Sequence, residues 1–247
     1  MHNRKDFFSA NAPAYSAFRP EYPDCLFEFI CSKVSAREHA WDCATGNGQA
    51  ARTLAKYFKK VYATDISAAQ LQHAPPAGNI DYRVQPAEKT NFPDHHFDLI
   101  TVAQALHWLY LPDFYNEVAR TARHGAWIAT WGYSLMTVAP EIDKLIKNFY
   151  KQVVGPYWDE ARRHVDTSYR NLPFPFREIE APPFYLQTQW NLEQCQGYLN
   201  TWSAVQLFIR QNGYNPTDAL MEKLSPLWKE KLCVTFPVFM RMGRIIK

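Results

Sequence analysis

Cysteine is scarce and poorly arranged for structural work. Cys25, Cys31, Cys43, Cys195 and Cys233 are odd in number and widely scattered. There is no Cys-x-x-Cys pair and no His/Cys run with zinc-finger spacing, which argues against a disulfide framework and structural zinc. Buried, reduced thiols are expected instead. An excess of one charge is missing too. Lys+Arg 27 against Asp+Glu 24 leave +3, too even a balance to require a nucleic acid or an anionic membrane as partner. Every apolar stretch is interrupted well before the roughly 20 residues a bilayer span requires. Residues 1–9 carry charge but no apolar core of signal-peptide length. Internal repeats and low-complexity segments are also missing. A soluble, cytoplasmic, globular chain is expected, with no membrane or nucleic-acid partner.

What is present is enough for one full core plus a sizeable insertion: 247 residues, 47% hydrophobic and 21% charged. Residues 21–35 carry Leu26, Phe29, Ile30 and Val34 at helical spacing behind the Pro20/Pro23 boundary. A strand is expected over 40–44, then a turn, then a helix over 49–59. Strand 61–65 ends on an acid, and Ser67 is positioned to cap a short helix that Pro75 and Pro76 stop. Strands follow at 80–85 and 97–103, the latter almost continuously apolar, as befits a strand covered on both faces. Helix 111–123 and strand 127–131 complete the alternation. Strands alternating with helices imply a mainly parallel sheet with right-handed crossovers.

Beyond Tyr133 the rhythm breaks. A helix is expected over 140–154, then an aromatic- and proline-rich stretch over 156–183, a strand over 184–190, helices over 192–209 and 217–231, and a final strand from Cys233. This pattern predicts a cap inserted over 137–183 and a return of the last strands to the sheet. His95 and His96 read as a turn, and no metal site is expected.

The chemistry concentrates at Asp42, Ala44, Gly46 and Gly48. A strand that ends in a Gly-x-Gly turn and opens a helix lets a ligand approach the backbone closely. With Ala51, the glycines also satisfy dinucleotide-fold spacing, so an NAD(P)-dependent oxidoreductase is an open alternative. Asp65, ending the second strand, is the acid placed to hold ribose hydroxyls. Asp42 suits a cationic ligand end and would repel a pyrophosphate. Adenosine with a positively charged amino-acid tail fits both acids better than NAD does.

The Asp42-x-Ala44-x-Gly46-x-Gly48 run resembles the first motif of class I S-adenosylmethionine-dependent methyltransferases, with Ala44 where that family usually has its first glycine. Residues 63–67 resemble the family's ribose-binding strand end, residues 86–100 its adenine-lining stretch, and residues 102–108 the loop beside the methionine part. The run from Ala103 to Trp108, with Tyr15, Arg19 and Pro23, resembles the small-molecule branch that includes trans-aconitate methyltransferase-like proteins. The likeness covers residues 7–133.

That resemblance implies one α/β domain over 1–247: a Rossmann-like seven-stranded, mainly parallel sheet with a reversed last strand, helices on both faces and lid helices over 1–35. It implies S-adenosyl-L-methionine as cofactor, with Gly46 and Gly48 under the methionine part and Asp42 facing its amino end. Asp65 would hold the ribose and Ile66 would pack on adenine, whose edge Ala87 and Glu88 would touch. Gln104 would lie beside the sulfonium, and Tyr15 and Arg19 would come from the lid, Arg19 matching the cofactor carboxylate.

The sulfonium already activates the methyl, so alignment and exclusion of water are the main requirements, and no triad is evident. His107, Trp108, Trp131 and Tyr133, at the ends of the fourth and fifth strands, are candidates for the wall of a small-molecule acceptor pocket. His107 is the candidate base for a hydroxyl or amine acceptor, with a hydrogen-bonded structural histidine as its other reading. A carboxylic acid acceptor needs no base. Plain core packing is the other reading of Trp131. Arg162, Arg163 and Arg170 lie in the cap, as an acid-gripping set or a solvated surface. A non-catalytic cofactor-binding protein is a further alternative, and the oligomeric state is not encoded in any motif.

Overall fold

The computed structural model describes residues 18–246. Tyr15 and the rest of residues 1–17 lie outside them.

Five strands form the parallel half of the sheet: β1 (His39–Cys43), β2 (Lys60–Asp65), β3 (Ile80–Val84), β4 (Phe97–Ala103) and β5 (Ala122–Tyr133). They stand in the order β3-β2-β1-β4-β5. β8 (Leu232–Arg244) then runs antiparallel to β5, with Trp127 opposite Arg244 and Tyr133 opposite Val238. The far edge of β8 is shared by two short strands. β6 (Arg177–Ile179) pairs with Arg244–Met242, and β7 (Phe184–Trp190) pairs with Val238–Leu232. Eight strands therefore occupy seven positions, and the last strand is the reversed one.

Alternation along the strands sorts side chains onto two faces. Ala40, Leu99, Ala129 and Trp131 face α1 (Asp24–Lys33) and α2 (Gln49–Leu54). Trp41, Ile100, Val102 and Ile128 face α4 (Leu111–Thr121), which buries Phe114 and Val118. β4 is buried on both faces, as its apolar run predicts. α1 belongs to this core: Leu26, Phe27 and Ile30 have no exposed surface. The described helix of the expected 1–35 lid is therefore packed down on the sheet.

Several boundaries differ from the sequence expectation for local reasons. α2 ends at Leu54, with residues 55–57 as turn. α4 passes directly into β5 because Ala122 is already extended, and Gly125, at φ 74, turns the chain to hydrogen-bond the carbonyl of Ile245. The single helix expected over 192–209 is two, α7 (Leu192–Asn200) and α8 (Ser203–Asn212). The Thr201 hydroxyl donates to the Tyr198 carbonyl and Trp202 is extended, a local side-chain competitor for the helical ladder. α9 (Pro216–Leu224) stops short of the expected Lys231.

A third core joins α5 (Pro140–Asn148) to α7, α8 and α9 over one end of the sheet, through Ile142, Ile146, Phe149, Tyr198, Trp202, Val205 and Leu220. The helical layer thus draws on two segments, one inside 137–183 and one after β7, while β6, also inside 137–183, is part of the sheet. α5 continues into a π-helical turn, Phe149–Val153. After it come the 3-10 turns Gly155–Tyr157 and Glu160–Arg162, then the one-turn α6 (Arg163–Asp166).

Candidate active site

Strand order reverses direction between β1 and β4, and open α/β sheets bind ligands at the carboxyl ends of the strands at such a switch point. Asp42 lies at the end of β1 there and Ala44 just past it, Asp65 ends β2, and Gln104 follows β4.

The turn after β1 is held in a left-handed backbone. Ala44 has φ 52, Gly46 φ 59 and Gly48 φ 79. Glycine adopts this region without penalty, whereas alanine is strained there. At Gly48 a side chain is excluded twice, since a Cβ would lie 2.5 Å from the Tyr82 hydroxyl. Among the described residues, a Cβ at Gly46 would meet only the Gln70 side chain, at 3.9 Å, which leaves room there for a ligand to approach.

Asp42 is 1% exposed. Its carboxylate accepts hydrogen bonds from the hydroxyls of Thr45 and of Thr101, the latter at 2.8 Å. Burial pushes its pKa up to about 6 against these hydrogen bonds, and the charge of Asp65 adds to the rise. The sequence expectation had Asp42 facing a ligand's amino end. In the structure both oxygens are engaged within the protein, so its influence on a ligand is exerted across the turn. Asp65 accepts from the backbone N–H of Gly46 at 2.9 Å and of Ser67 at 2.8 Å, tying the glycine turn to the end of β2. Ser67 caps α3 (Ala68–Gln72) by accepting from Gln70 N–H.

Ile66 is 46% exposed beside this turn, and Ala87 is buried. Glu88 accepts from the Tyr110 N–H at 3.1 Å. The connection bearing both, residues 85–96, contains no helix. It is pinned by buried Glu117, which accepts from the Thr90 N–H at 2.7 Å and from the Arg120 guanidinium. Asp42, Glu88 and Asp65 all raise the pKa of the buried Cys43 thiol, after burial itself. The charges of all three carboxylates are thus felt at the end of β1.

Gln104, at φ 54, joins β4 to β5. Its N–H donates to the Trp131 carbonyl at 2.7 Å, and its side-chain oxygen accepts from the Tyr133 N–H at 2.8 Å. Trp131 is a correction to the expected pocket wall. It has no exposed surface, and Tyr22 and Phe27 close on its ring edge-to-face at 5.6 and 5.9 Å. It is a core residue beneath α1. Tyr133 hydrogen-bonds the guanidinium of Arg19, which also lies 5.2 Å from the Tyr198 ring centre.

His107 and Trp108 form a 3-10 turn after β4, their rings 4.5 Å apart. His107 Nδ1 lies 2.8 Å from the Tyr169 hydroxyl. Burial, then the charges of Arg162 and His164, lower its pKa to about 3. An imidazole held that weakly basic is poorly matched to the general-base role considered from sequence, because efficient bases titrate near the working pH.

Sequence reasoning missed Thr45 and Thr101, which fix Asp42, and Tyr82, which fixes Gly48. Tyr169, which the sequence offers only as one of the cap's aromatic cluster, pocket wall or cap core, is fully buried and follows Ser168 in two consecutive left-handed residues. Backbone strain of this kind clusters at functional sites. The hydroxyls at the strand end were legible in principle. The Tyr169 contact spans 62 residues and had no local signal.

Residues 41–130 match the methyltransferase domain family. A Dictyostelium discoideum protein described as a methyltransferase is 32% identical over 97% of this chain and 95% of its own length. A Saccharomyces cerevisiae protein described as an S-adenosylmethionine-dependent methyltransferase is 26% identical, covering 86% of this chain and 84% of its own. A solved structure from Anaeromyxobacter dehalogenans, described as a type II methyltransferase, superposes with a TM-score of 0.86 at 40% identity. It covers 93% of this chain and 99% of its own.

Proposed function

Because the chain belongs to the S-adenosylmethionine-dependent methyltransferases, we propose that it methylates a small molecule, with a carboxylic acid as the acceptor class, by in-line transfer. The observation that carries the cofactor side is the placement of Asp42 and Asp65 at the carboxyl ends of β1 and β2, with Asp65 tied to the glycine turn and Glu88 in the connection after β3. Three carboxylates suit a cationic ligand with a sugar diol and an amino-bearing base, and they oppose a diphosphate. The room beside Gly46 supports the same fit.

In this reading Gly46 and Gly48 let the methionine part lie against backbone, Asp65 takes the ribose, Ile66 covers adenine, and Ala87 and Glu88 meet its edge. Ala44 continues the turn, and Gln104 borders the reacting centre. Arg19, just ahead of α1, meets the cofactor carboxylate. When bound, the cofactor supplies a methyl group already activated by a positive sulfur. The chain's own task is to orient the acceptor and exclude water. His107, Trp108 and Tyr133 line the acceptor side, and a carboxylate acceptor removes the need for a base that neutral His107 does not provide.

Among the described residues no helix is long and apolar enough to cross a membrane. The reading includes neither a nucleic-acid nor a membrane partner, supported by the even charge balance, and a cytoplasmic location, supported by five free cysteines. The test is calorimetric titration with S-adenosylhomocysteine and NADH, followed by incubation with methyl-labelled S-adenosylmethionine and a metabolite extract. Binding of the first alone and a labelled small acid are expected. NADH binding, or label only in nucleic acid or protein, would sink the reading.

A further inference from the structure

We propose that Arg162 is the specificity-determining residue of the acceptor pocket, its guanidinium holding the anionic group of the acceptor beside His107. The inference rests on the methyl-transfer reading above and deepens it by assigning the residue that reads the acceptor's charge.

Arg162 ends the 3-10 turn Glu160–Arg162, which Asp159 caps by accepting from the Ala161 N–H. Its guanidinium lies 5.2 Å from the Trp158 ring centre and 5.9 Å from that of Tyr150. Tyr150 is set by the π-helical turn, and its hydroxyl donates to Asp166 at 2.7 Å. That carboxylate is thus engaged elsewhere. Nη1 of Arg162 is buried without a hydrogen-bond partner among the described residues.

The other ion-paired arginines show what such a group normally does. Arg83, Arg120, Arg123 and Arg241, all partly buried, each close on a carboxylate at 2.6–2.8 Å. Even the neighbouring surface Arg163 pairs with Glu160 at 3.1 Å. A buried guanidinium nitrogen left unpaired is costly, and stacking on aromatic faces fixes the fork without satisfying its donors. With nothing among the described residues to satisfy it, Nη1 is suited to an acceptor group that arrives from outside the fold.

Its position identifies which ligand. The charge of Arg162 acts on His107, on Tyr150 and on Tyr198. Tyr198 in turn faces Arg19. The Glu160–Arg162 turn also packs against the Leu106–Trp108 turn that follows β4, which sets Arg162 beside His107. A planar oxyanion, such as a carboxylate, matches the fork with two parallel hydrogen bonds. An uncharged acceptor leaves Nη1 as it is.

The test uses the full chain, methyl-labelled S-adenosylmethionine, and a panel pairing small carboxylic acids with their primary amides. Wild type is expected to label acids and spare amides. For the best acid, Arg162→Gln is expected to raise KM about 100-fold, as loss of a charge-assisted pair would, with kcat within about fivefold. Arg162→Lys, which keeps charge but not the fork, is expected to raise KM about tenfold. Both variants keep the S-adenosylhomocysteine Kd within about twofold of wild type, which a general loss of structure would not allow. If the Gln variant fails to fold, the Lys variant carries the test. An unchanged KM, labelling of amides as readily as acids, or no labelled acid from an enzyme that binds S-adenosylhomocysteine overturns this inference alone. Failure of wild type to bind S-adenosylhomocysteine overturns the methyl-transfer reading beneath it.

Discussion

The two sides of the crevice are built from opposite materials. At the ends of β1 and β2 and in the connection after β3, the carboxylates of Asp42, Asp65 and Glu88 are locked by backbone N–H groups and threonine hydroxyls. Beyond β4 and β5 the lining is aromatic and basic, with Arg19 and Arg162 set among Tyr133, Tyr150, Trp158 and Tyr198. The acidic side comes from a continuous run of strand–helix units, the basic side from turns and helices of the layer above. On the proposed reading, such a division would let one face hold a cationic donor while the other selects an anion.

The most damaging way to break the acidic side is Asp65→Ala. Loss of a charge-assisted partner costs roughly 1.5–3 kcal/mol, so the S-adenosylhomocysteine Kd should rise about tenfold or more by calorimetry. Unchanged affinity in a folded variant would refute its role at the ribose.

Asp42 gives the next effect, on stability. Its folded-state pKa of about 6 lies above its ordinary value of 3.8, so the folded protein binds this proton more tightly than the unfolded chain. Its contribution to stability is therefore greatest below pH 4 and is lost as pH rises to about 6, by about 3 kcal/mol at most. Asp42→Asn should flatten that part of the stability–pH profile in denaturant melts at pH 4 to 7. A profile unchanged by the substitution would contradict the burial argument.

Ala44→Gly should be smaller and in the other direction. Releasing a left-handed alanine, less the extra entropy of an unfolded glycine, is worth about 0.5–1 kcal/mol of stabilisation in chemical denaturation. A less stable variant would show that the methyl makes a packing contribution larger than the strain.

On the basic side, His107 sharpens the contrast by doing little. Neutral throughout the range above pH 5 with its pKa at about 3, it should add no inflection to kcat/KM between pH 6 and 8. His107→Gln should preserve the shape of that profile. An inflection lost in the variant would restore the general-base role.

The acidic side was the more legible from sequence. Its residues sit at fixed offsets from strand ends, and apolar runs with glycine punctuation expose those ends: β4 was anticipated at 97–103 to the residue. Ser67 as a cap followed from the same local logic. The basic side resisted because its contacts are long-range. Tyr169 meets His107 across 62 positions, and Arg19 meets Tyr133 across 114. Trp131 was ambiguous for another reason. Alternation gives the face a strand residue takes, and only the packing of Tyr22 and Phe27 decides that the face is closed. The split of α7 from α8 was likewise hidden, since a threonine turning back on its own carbonyl leaves the apolar spacing intact.

The divided outer edge of the sheet has a consequence for how the molecule behaves in a crowded solution. β6 and β7 meet β8 on one margin but are separated by residues 180–183, which include Pro182 and Pro183. Proline offers no N–H for an incoming strand, and a broken margin cannot template a long register. The protein thereby exposes a sheet border without offering other chains a continuous track for aggregation.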